Sequence, residues 1–191
     1  MVRVFLLGPN RWPSTTTDPE AGLKIRRSLI QDNEDLDAEW VLMEDSKRPG
    51  TMTAKFLAIV KDPATTHVFF LWPRDCKMAG PEDELALWQA LKELTGVAPE
   101  LYLFHQAGVL EVNPVRGEHE VAILDSQGRS PYLRELLQYG VFLQEWMDLE
   151  DLRREIRNVL RSDVGVPVRQ HRGVVHFGSR ADESRSGTPS G

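Results

Sequence analysis

HVFFLW, at His67–Trp72, is the most continuous apolar stretch in this chain of 191 residues, and it ends at Pro73. It is apolar at nearly every position, whereas a half-exposed strand alternates apolar and polar residues. Such a run is typical of a strand that is covered on both faces of a sheet. We therefore predict that residues 67–72 form a central strand of a parallel sheet.

Four shorter apolar segments around this stretch predict the remaining strands. They are Arg3–Leu7, Trp40–Met43, Leu101–Phe104 and Val141–Gln144. Helical patterns separate the segments, and regular alternation of strand and helix produces a parallel sheet with right-handed crossovers. We predict a flavodoxin-like α/β fold, which is a doubly wound parallel five-stranded sheet of order 2-1-3-4-5 with helices on both faces.

Local start and stop signals indicate where the helices lie. Asp18-Pro19-Glu20 predicts a helix that Asp18 caps, with proline at its first position. Thr53 is the predicted cap of a second helix, which must stop near Asp62-Pro63 because proline restricts the residue before it. Further helices are predicted over 82–95, from Ser130 to Gly140, and from Asp148 onward.

The composition along the chain predicts one domain followed by a tail. Residues 1–161 carry the strand and helix patterns, and residues 109–125 are predicted to form a hairpin inserted into the domain. Residues 162–191 are rich in glycine, serine, arginine and proline. We predict that they form a flexible, largely disordered tail.

The bulk composition limits the function classes. The 41% hydrophobic and 27% charged residues are those of an ordinary globular protein. No apolar run approaches the roughly 18 residues that span a bilayer, and the N-terminus lacks a signal-peptide pattern. Cys76 is the only cysteine, which excludes an internal disulfide. We expect a cytoplasmic protein without a membrane partner.

Two further features exclude common ligand classes. The net charge is −6 without a basic stripe, which argues against binding duplex nucleic acid. The histidines show no metal-binding spacing, and neither GxGxxG nor the P-loop pattern occurs. We therefore expect no metal and no cofactor, and a small molecule as the partner.

The predicted strand order also predicts where a ligand binds. Ligands of open doubly wound sheets bind at the carboxyl ends of strands where the strand order reverses, here between strands one and three. One loop at that point, Gly8–Trp12, offers a glycine for close backbone approach, an arginine for an anion and a tryptophan for stacking. The other loop, from Pro73 to Glu84, contains Arg74 and Asp75.

Helical spacing separates the acidic residues at the start of the helix over 82–95. Glu84 shares a face with Trp88 and Leu91, so its carboxylate is predicted to point inward. Glu82 lies on a solvated stripe, and Asp83 is a second inward candidate. Acidic residues in a first helical turn also complement the helix dipole, but that role does not explain an inward carboxylate.

Three motifs, in this order, resemble the nucleoside 2-deoxyribosyltransferase-like family over about residues 1–160. FLLGP at residues 5–9 is similar to its opening strand, and GxxxEL at Gly80–Leu85 to its helix-borne motif. VFLQEWMDLEDLRREI at residues 141–156 resembles its closing strand and helix. In that family a glutamate at the position of Glu84 attacks the anomeric carbon of a nucleoside or nucleotide, and water or a second base resolves the glycosyl-enzyme.

The resemblance implies an enzyme that cleaves or transfers an N-glycosidic bond, with Glu84 as the nucleophile. We assign Asp75 as the acid that protonates the departing base. The family analogy also implies self-association into a homo-oligomer. The predicted substrate-binding residues are Gly8, Pro9, Asn10, Arg11, Glu44, Asp45, Arg74 and Gly80.

Two alternative functions stay open at this point. Ala86 stands where the family usually has glycine, and Pro81 is atypical within the motif, so a non-catalytic nucleotide-binding module is one alternative. TIR domains that cleave NAD share the flavodoxin-like topology and a helix-borne glutamate. A TIR-like NAD hydrolase in signalling or defence is therefore the other.

Overall fold

The computed structural model of the chain describes residues 2–13, 15–47, 49–74, 76, 79–114, 121–125 and 139–163. The strands are β1 (Val2–Leu7), β2 (Ala38–Val41), β3 (His67–Trp72), β4 (Glu100–Gln106), β5 (Leu110–Pro114), β6 (Val121–Asp125) and β7 (Phe142–Trp146). The helices are α1 (Ala21–Gln31), α2 (Met52–Val60), α3 (Ala79–Thr95) and α4 (Leu149–Asp163).

Five parallel strands form the main sheet, in the order β2-β1-β3-β4-β7. This order confirms the predicted doubly wound, flavodoxin-like α/β fold, with β7 as the fifth strand. All five predicted strands are present, although β2 begins and ends two residues earlier than predicted, and β7 begins one residue later and ends two residues later. The strand bounds shift because hydrogen-bond pairing with the neighbouring strand, and not apolarity alone, decides where a strand ends.

β3 occupies the middle of the sheet, and all six of its residues are buried. It pairs with β1, where Leu7 faces Phe70, and with β4, where Trp72 faces His105. Its side chains alternate between the two faces of the sheet, and each face packs in its own apolar core. The apolar run is therefore continuous because both faces of β3 are buried.

Helices cover both faces of the sheet, as predicted. α2 and α3 supply Phe56 and Trp88 to the core on one face. α1 and α4 supply Leu29 and Ile156 to the core on the other. Within the described residues, no helix combines the length and the apolarity needed to cross a bilayer.

Two predicted helix caps are wrong. α1 begins at Ala21, and Asp18 instead closes a turn before it, accepting the backbone N–H of Glu20 at 2.9 Å. α2 is capped by Thr51, whose hydroxyl accepts the N–H of Ala54 at 3.2 Å, and not by Thr53. An N-cap needs an extended backbone as well as a side-chain oxygen, and Thr51 has it, with ψ of 162°.

α3 begins at Ala79, three residues before the predicted start at residue 82. Gly80 and Pro81 therefore lie in its first turn. Proline is accepted there because the first backbone N–H groups of a helix have no partner within the helix. The earlier start leaves Glu84 in the second turn of α3.

The chain after β4 contains the predicted hairpin, in which β5 pairs antiparallel with β6 as a separate two-stranded sheet. The predicted helix from Ser130 to Gly140 lies mostly outside the described residues. Asp148 caps α4 by accepting the N–H of Asp151 at 2.9 Å, as predicted. α4 ends at Asp163, and the predicted tail lies outside the described residues from there on.

α1 makes a very close contact with the loop that follows β1. The N–H of Gly22 donates to the carbonyl oxygen of Asn10 at 2.7 Å. A Cβ atom on Gly22 would lie 1.9 Å from the carbonyl oxygen of Pro9, which is far inside van der Waals contact. Glycine at this position is therefore required for α1 to close on the loop.

We expect Gly22→Ala to lower the free energy of unfolding by about 2 kcal/mol or more, because the backbone must move away from the methyl group. The sign of this stability change distinguishes a strained site from an unstrained one, because Gly→Ala at an unstrained helical site stabilises the protein by about 0.5–1 kcal/mol. Urea unfolding measures the effect. Arg27→Ala, on the exposed face of α1, is the control and should change stability by no more than about 0.5 kcal/mol. A gain in stability for Gly22→Ala would contradict the contact.

Candidate functional site

A cavity of about 270 Å³ lies over the carboxyl end of β1, between the residues that follow β2 and the N-terminal turns of α2 and α3. The strand order reverses between β1 and β3. The cavity lies at β1 but on the side toward β2, so it is displaced from the predicted position between β1 and β3. Polar side chains converge on it from five segments of the chain, and such convergence marks binding sites. These side chains are Asn10, Arg26, Glu44, Thr53, Asp83 and Glu84.

A larger cavity, of about 830 Å³, lies at the opposite edge of the sheet, where β1, β3 and β4 begin. Its walls combine apolar surface with Lys61, Asp62 and Glu100, but ligands of open parallel sheets bind at the other edge. We therefore take the smaller cavity, which brings together several charged groups, as the candidate site.

Arg26, on α1, connects the segments around the candidate site. Its side chain is 2% exposed. Nη1 donates to the carbonyl oxygens of Gly8 at 2.6 Å and Pro9 at 3.1 Å, and Nη2 donates to Oδ1 of Asn10 at 2.8 Å. Nη2 also forms an ion pair with Oε1 of Glu44. A single guanidinium thus holds the loop after β1 and the turn after β2 in one arrangement.

Arg26 was not among the residues predicted from the sequence. It stands between Leu23 and Leu29 on the buried face of α1, which is the only signal that the sequence contains. An arginine in an apolar stripe must find acceptors inside the protein. Burial lowers the pKa of Arg26, and the charges of Glu44 and Glu84 oppose that effect.

Glu84 is partly buried and lines the cavity. Burial raises the pKa of Glu84 to about 7, the positive charge of Arg26 opposes the rise, and the negative charges of Glu44 and Asp83 add to it. Near neutral pH the side chain therefore exists in both protonation states. Carboxyl groups with strongly shifted pKa values are concentrated at functional sites.

The loop after β1 contributes its backbone and one side chain to the site. Gly8 and Asn10 line the cavity, and a Cβ on Gly8 would meet Cβ of Leu71 at 3.1 Å. The glycine therefore allows β1 to end tightly against β3. Arg11 is exposed and does not line the cavity, although we predicted that it binds the substrate.

Trp12 has a structural position and not a ligand-stacking one. It is 9% exposed and belongs to the core on the α1 and α4 face. Its ring packs against that of Trp146, with centroids 5.5 Å apart. Trp146, in β7, thus covers the ring of Trp12, on which we expected a ligand to stack.

The other predicted residues are scattered. Asp45 lies outside the cavity, where its carboxylate pairs with Arg27 at 3.0 Å and both side chains are more than half exposed. Arg74 is exposed and outside the cavity lining, and its backbone N–H donates to Oε1 of Gln106 at 3.0 Å. Gly80 lies in the first turn of α3, and Asp75 lies outside the described residues.

Among the described residues, no group of three or more histidine, cysteine, aspartate or glutamate side chains is placed to hold a metal ion. Comparison with models of protein families finds no match to this chain, and comparison with curated proteins finds none either. The geometry of the cavity is therefore the basis for a functional proposal.

We expect Glu84→Gln to stabilise the protein at pH 8 and to have little effect at pH 5. The folded-state pKa of about 7 lies above the ordinary value of 4.5, so ionisation of Glu84 opposes folding. This penalty is absent below about pH 4.5, grows between 4.5 and 7, and is complete above 7. We expect a gain of about 1 to 3 kcal/mol at pH 8, after allowance for partial exposure.

Urea unfolding at the two pH values measures this difference. Glu34→Gln removes the same charge from an exposed position outside the cavity, and should show no comparable dependence on pH. An equal effect of Glu84→Gln at pH 5 and pH 8 would contradict the raised pKa.

We expect Arg26→Met to lower the free energy of unfolding by about 3–5 kcal/mol, because it leaves the Glu44 carboxylate and two carbonyl groups without their donor. Adding Glu44→Gln to that variant should recover part of the loss, since it removes the uncompensated charge. A double-mutant cycle measured by chemical unfolding gives the coupling. Strictly additive effects would show that the pair does not interact in solution.

Proposed function

We propose that this protein cleaves or transfers the N-glycosidic bond of a nucleoside or nucleotide, with Glu84 as the nucleophile. The observation that carries the proposal is the position of the Glu84 carboxylate in a cavity at the carboxyl end of β1, beside the Arg26–Glu44 ion pair. The resemblance of Gly80–Leu85 to the nucleoside 2-deoxyribosyltransferase-like motif supports the same assignment.

The reaction needs an ionised carboxylate against the sugar. Glu84 would attack the anomeric carbon, the base would leave with the electrons of the C–N bond, and a glycosyl ester of Glu84 would form. Water or a second base would then attack the anomeric carbon and release Glu84. For a neutral base an acid must protonate the departing nitrogen, and Asp75 remains our prediction for that role.

The surroundings of Glu84 support this chemistry. The charge of Arg26 favours the ionised form of Glu84, and its hydrogen bonds fix the backbone at Gly8 and Pro9. Glu44 lines the same cavity, where a carboxylate can accept hydrogen bonds from sugar hydroxyls. These groups are positioned before a substrate arrives, which lowers the cost of orienting it.

The size of the cavity favours one nucleoside over a dinucleotide. Its volume of about 270 Å³ lies just below the range of about 300–1,000 Å³ that is usual for pockets of drug-sized ligands. We therefore prefer nucleoside chemistry to NAD hydrolysis. The non-catalytic nucleotide-binding module is an outcome that the next experiment distinguishes.

We expect the protein to release free base from at least one member of a panel of nucleosides, nucleoside monophosphates and NAD. Glu84→Gln should reduce that release by on the order of 10³-fold or more, because the attacking oxygen is lost. Chromatography of the free base measures it, with Glu34→Gln as the charge-matched control. Full activity of Glu84→Gln would exclude the nucleophile assignment, and binding without turnover would favour the module.

We expect kcat/KM to rise with pH and to level off above about 7, because only ionised Glu84 attacks. One unit below that pKa the activity should be about tenfold lower. A pH profile of kcat/KM on the cleaved nucleoside tests this. A loss of activity as the pH rises through 7 would show that Glu84 acts as a proton donor instead.

A further inference from the structure

We propose that the preferred substrate of this cavity is a nucleoside whose base carries a positive charge, of the ribosylpyridinium type, and that it carries no phosphate. This inference rests on the proposed function and names the substrate class for the same site. It follows from the charges around the cavity and from the hydrogen bonds that Arg26 already makes within the protein.

Negative groups outnumber positive ones in the described lining of the cavity. Glu44, Asp83 and Glu84 contribute carboxylates, and Arg26 is the one cationic side chain among the described lining residues. The ion pair between Arg26 and Glu44 balances one carboxylate. Asp83 and Glu84 remain as the charges that a bound ligand would meet.

Arg26 is poorly placed to bind a phosphate. Its side chain is 2% exposed, and both terminal nitrogens already donate to protein acceptors. A phosphate would have to displace the Glu44 carboxylate or break the contacts with the loop after β1. An added dianion would also lie close to Asp83 and Glu84, and like charges in a partly buried site repel strongly.

A cationic base would relieve the repulsion between these carboxylates. Glu44 and Asp83 disfavour the ionised form of Glu84, and a positive ligand beside them would favour it. Binding of such a substrate would therefore generate the nucleophile that attacks it. The net charge of −6 on the chain adds a long-range attraction for cations.

Cleavage of a nucleoside with a cationic base also needs fewer catalytic groups than cleavage of one with a neutral base. When Glu84 attacks C1′ of a ribosylpyridinium, the electron pair of the C–N bond goes to the ring nitrogen, and the base leaves as neutral pyridine. No proton is required in that step. Water then attacks C1′ of the glycosyl ester, which releases ribose, one proton and the Glu84 carboxylate.

A matched pair of ligands tests the charge preference without turnover. The probes are the carbocyclic analogue of ribosylnicotinamide, a cation that the enzyme cannot cleave as a glycoside, and its neutral 1,4-dihydro form of nearly equal size. We expect the cation to bind the wild-type protein at least about tenfold more tightly in calorimetry at low salt. Asp83→Asn should reduce this ratio by about threefold or more, and Glu34→Gln should leave it unchanged.

The outcomes separate the inference from the function on which it rests. Equal binding of the two analogues, or tighter binding of the neutral one, overturns the inference. The proposed function stands in that case if neutral nucleosides lose their base in a reaction that needs Glu84. Preferential binding of the cation, together with Glu84-dependent release of nicotinamide from ribosylnicotinamide, supports both. Binding of the cation with no release of base from any nucleoside overturns both.

Discussion

The buried guanidinium of Arg26 is the interaction on which the carboxyl edge of the sheet depends. A charge removed from water must be paired and hydrogen-bonded, or it costs several kcal/mol. Its acceptors come from the loop after β1 and from Glu44 beyond β2, so satisfying Arg26 fixes both segments. Gly22 permits this arrangement because α1 can approach the loop without a side chain between them.

The fold was predictable from the sequence because buried positions carry apolar residues, and these recur with the period of the strand or helix that contains them. The six buried residues of β3 form an apolar run, and helices that cover both faces of the sheet alternate with strands along the chain. Helix starts were less predictable, since Asp18 and Thr51 both have capping oxygens. Only the backbone conformation shows that Thr51 caps a helix and that Asp18 closes a turn.

The candidate site was partly predictable for the same reason. Helical spacing placed Glu84 on the inward face of α3, and it lines the cavity. Arg26 was missed because two of its acceptors are backbone carbonyls, which every residue has and no sequence motif records. Arg11 and Arg74 were selected for lying in loops at the right edge of the sheet, but a loop position does not determine where a side chain points.

The contact between Trp12 and Trp146 joins residues that are far apart in the chain. Arg153 with Asp32, and Arg157 with Asp35, add ion pairs between α4 and the residues that follow α1. During synthesis the ribosome produces the loop after β1 early, but the apolar surface on which Trp12 rests does not exist until β7 is made. Trp12 therefore gains its ring contact with Trp146 only once β7 is present, whereas the residues that line the candidate cavity, from Leu6 to Leu87, are all synthesised earlier.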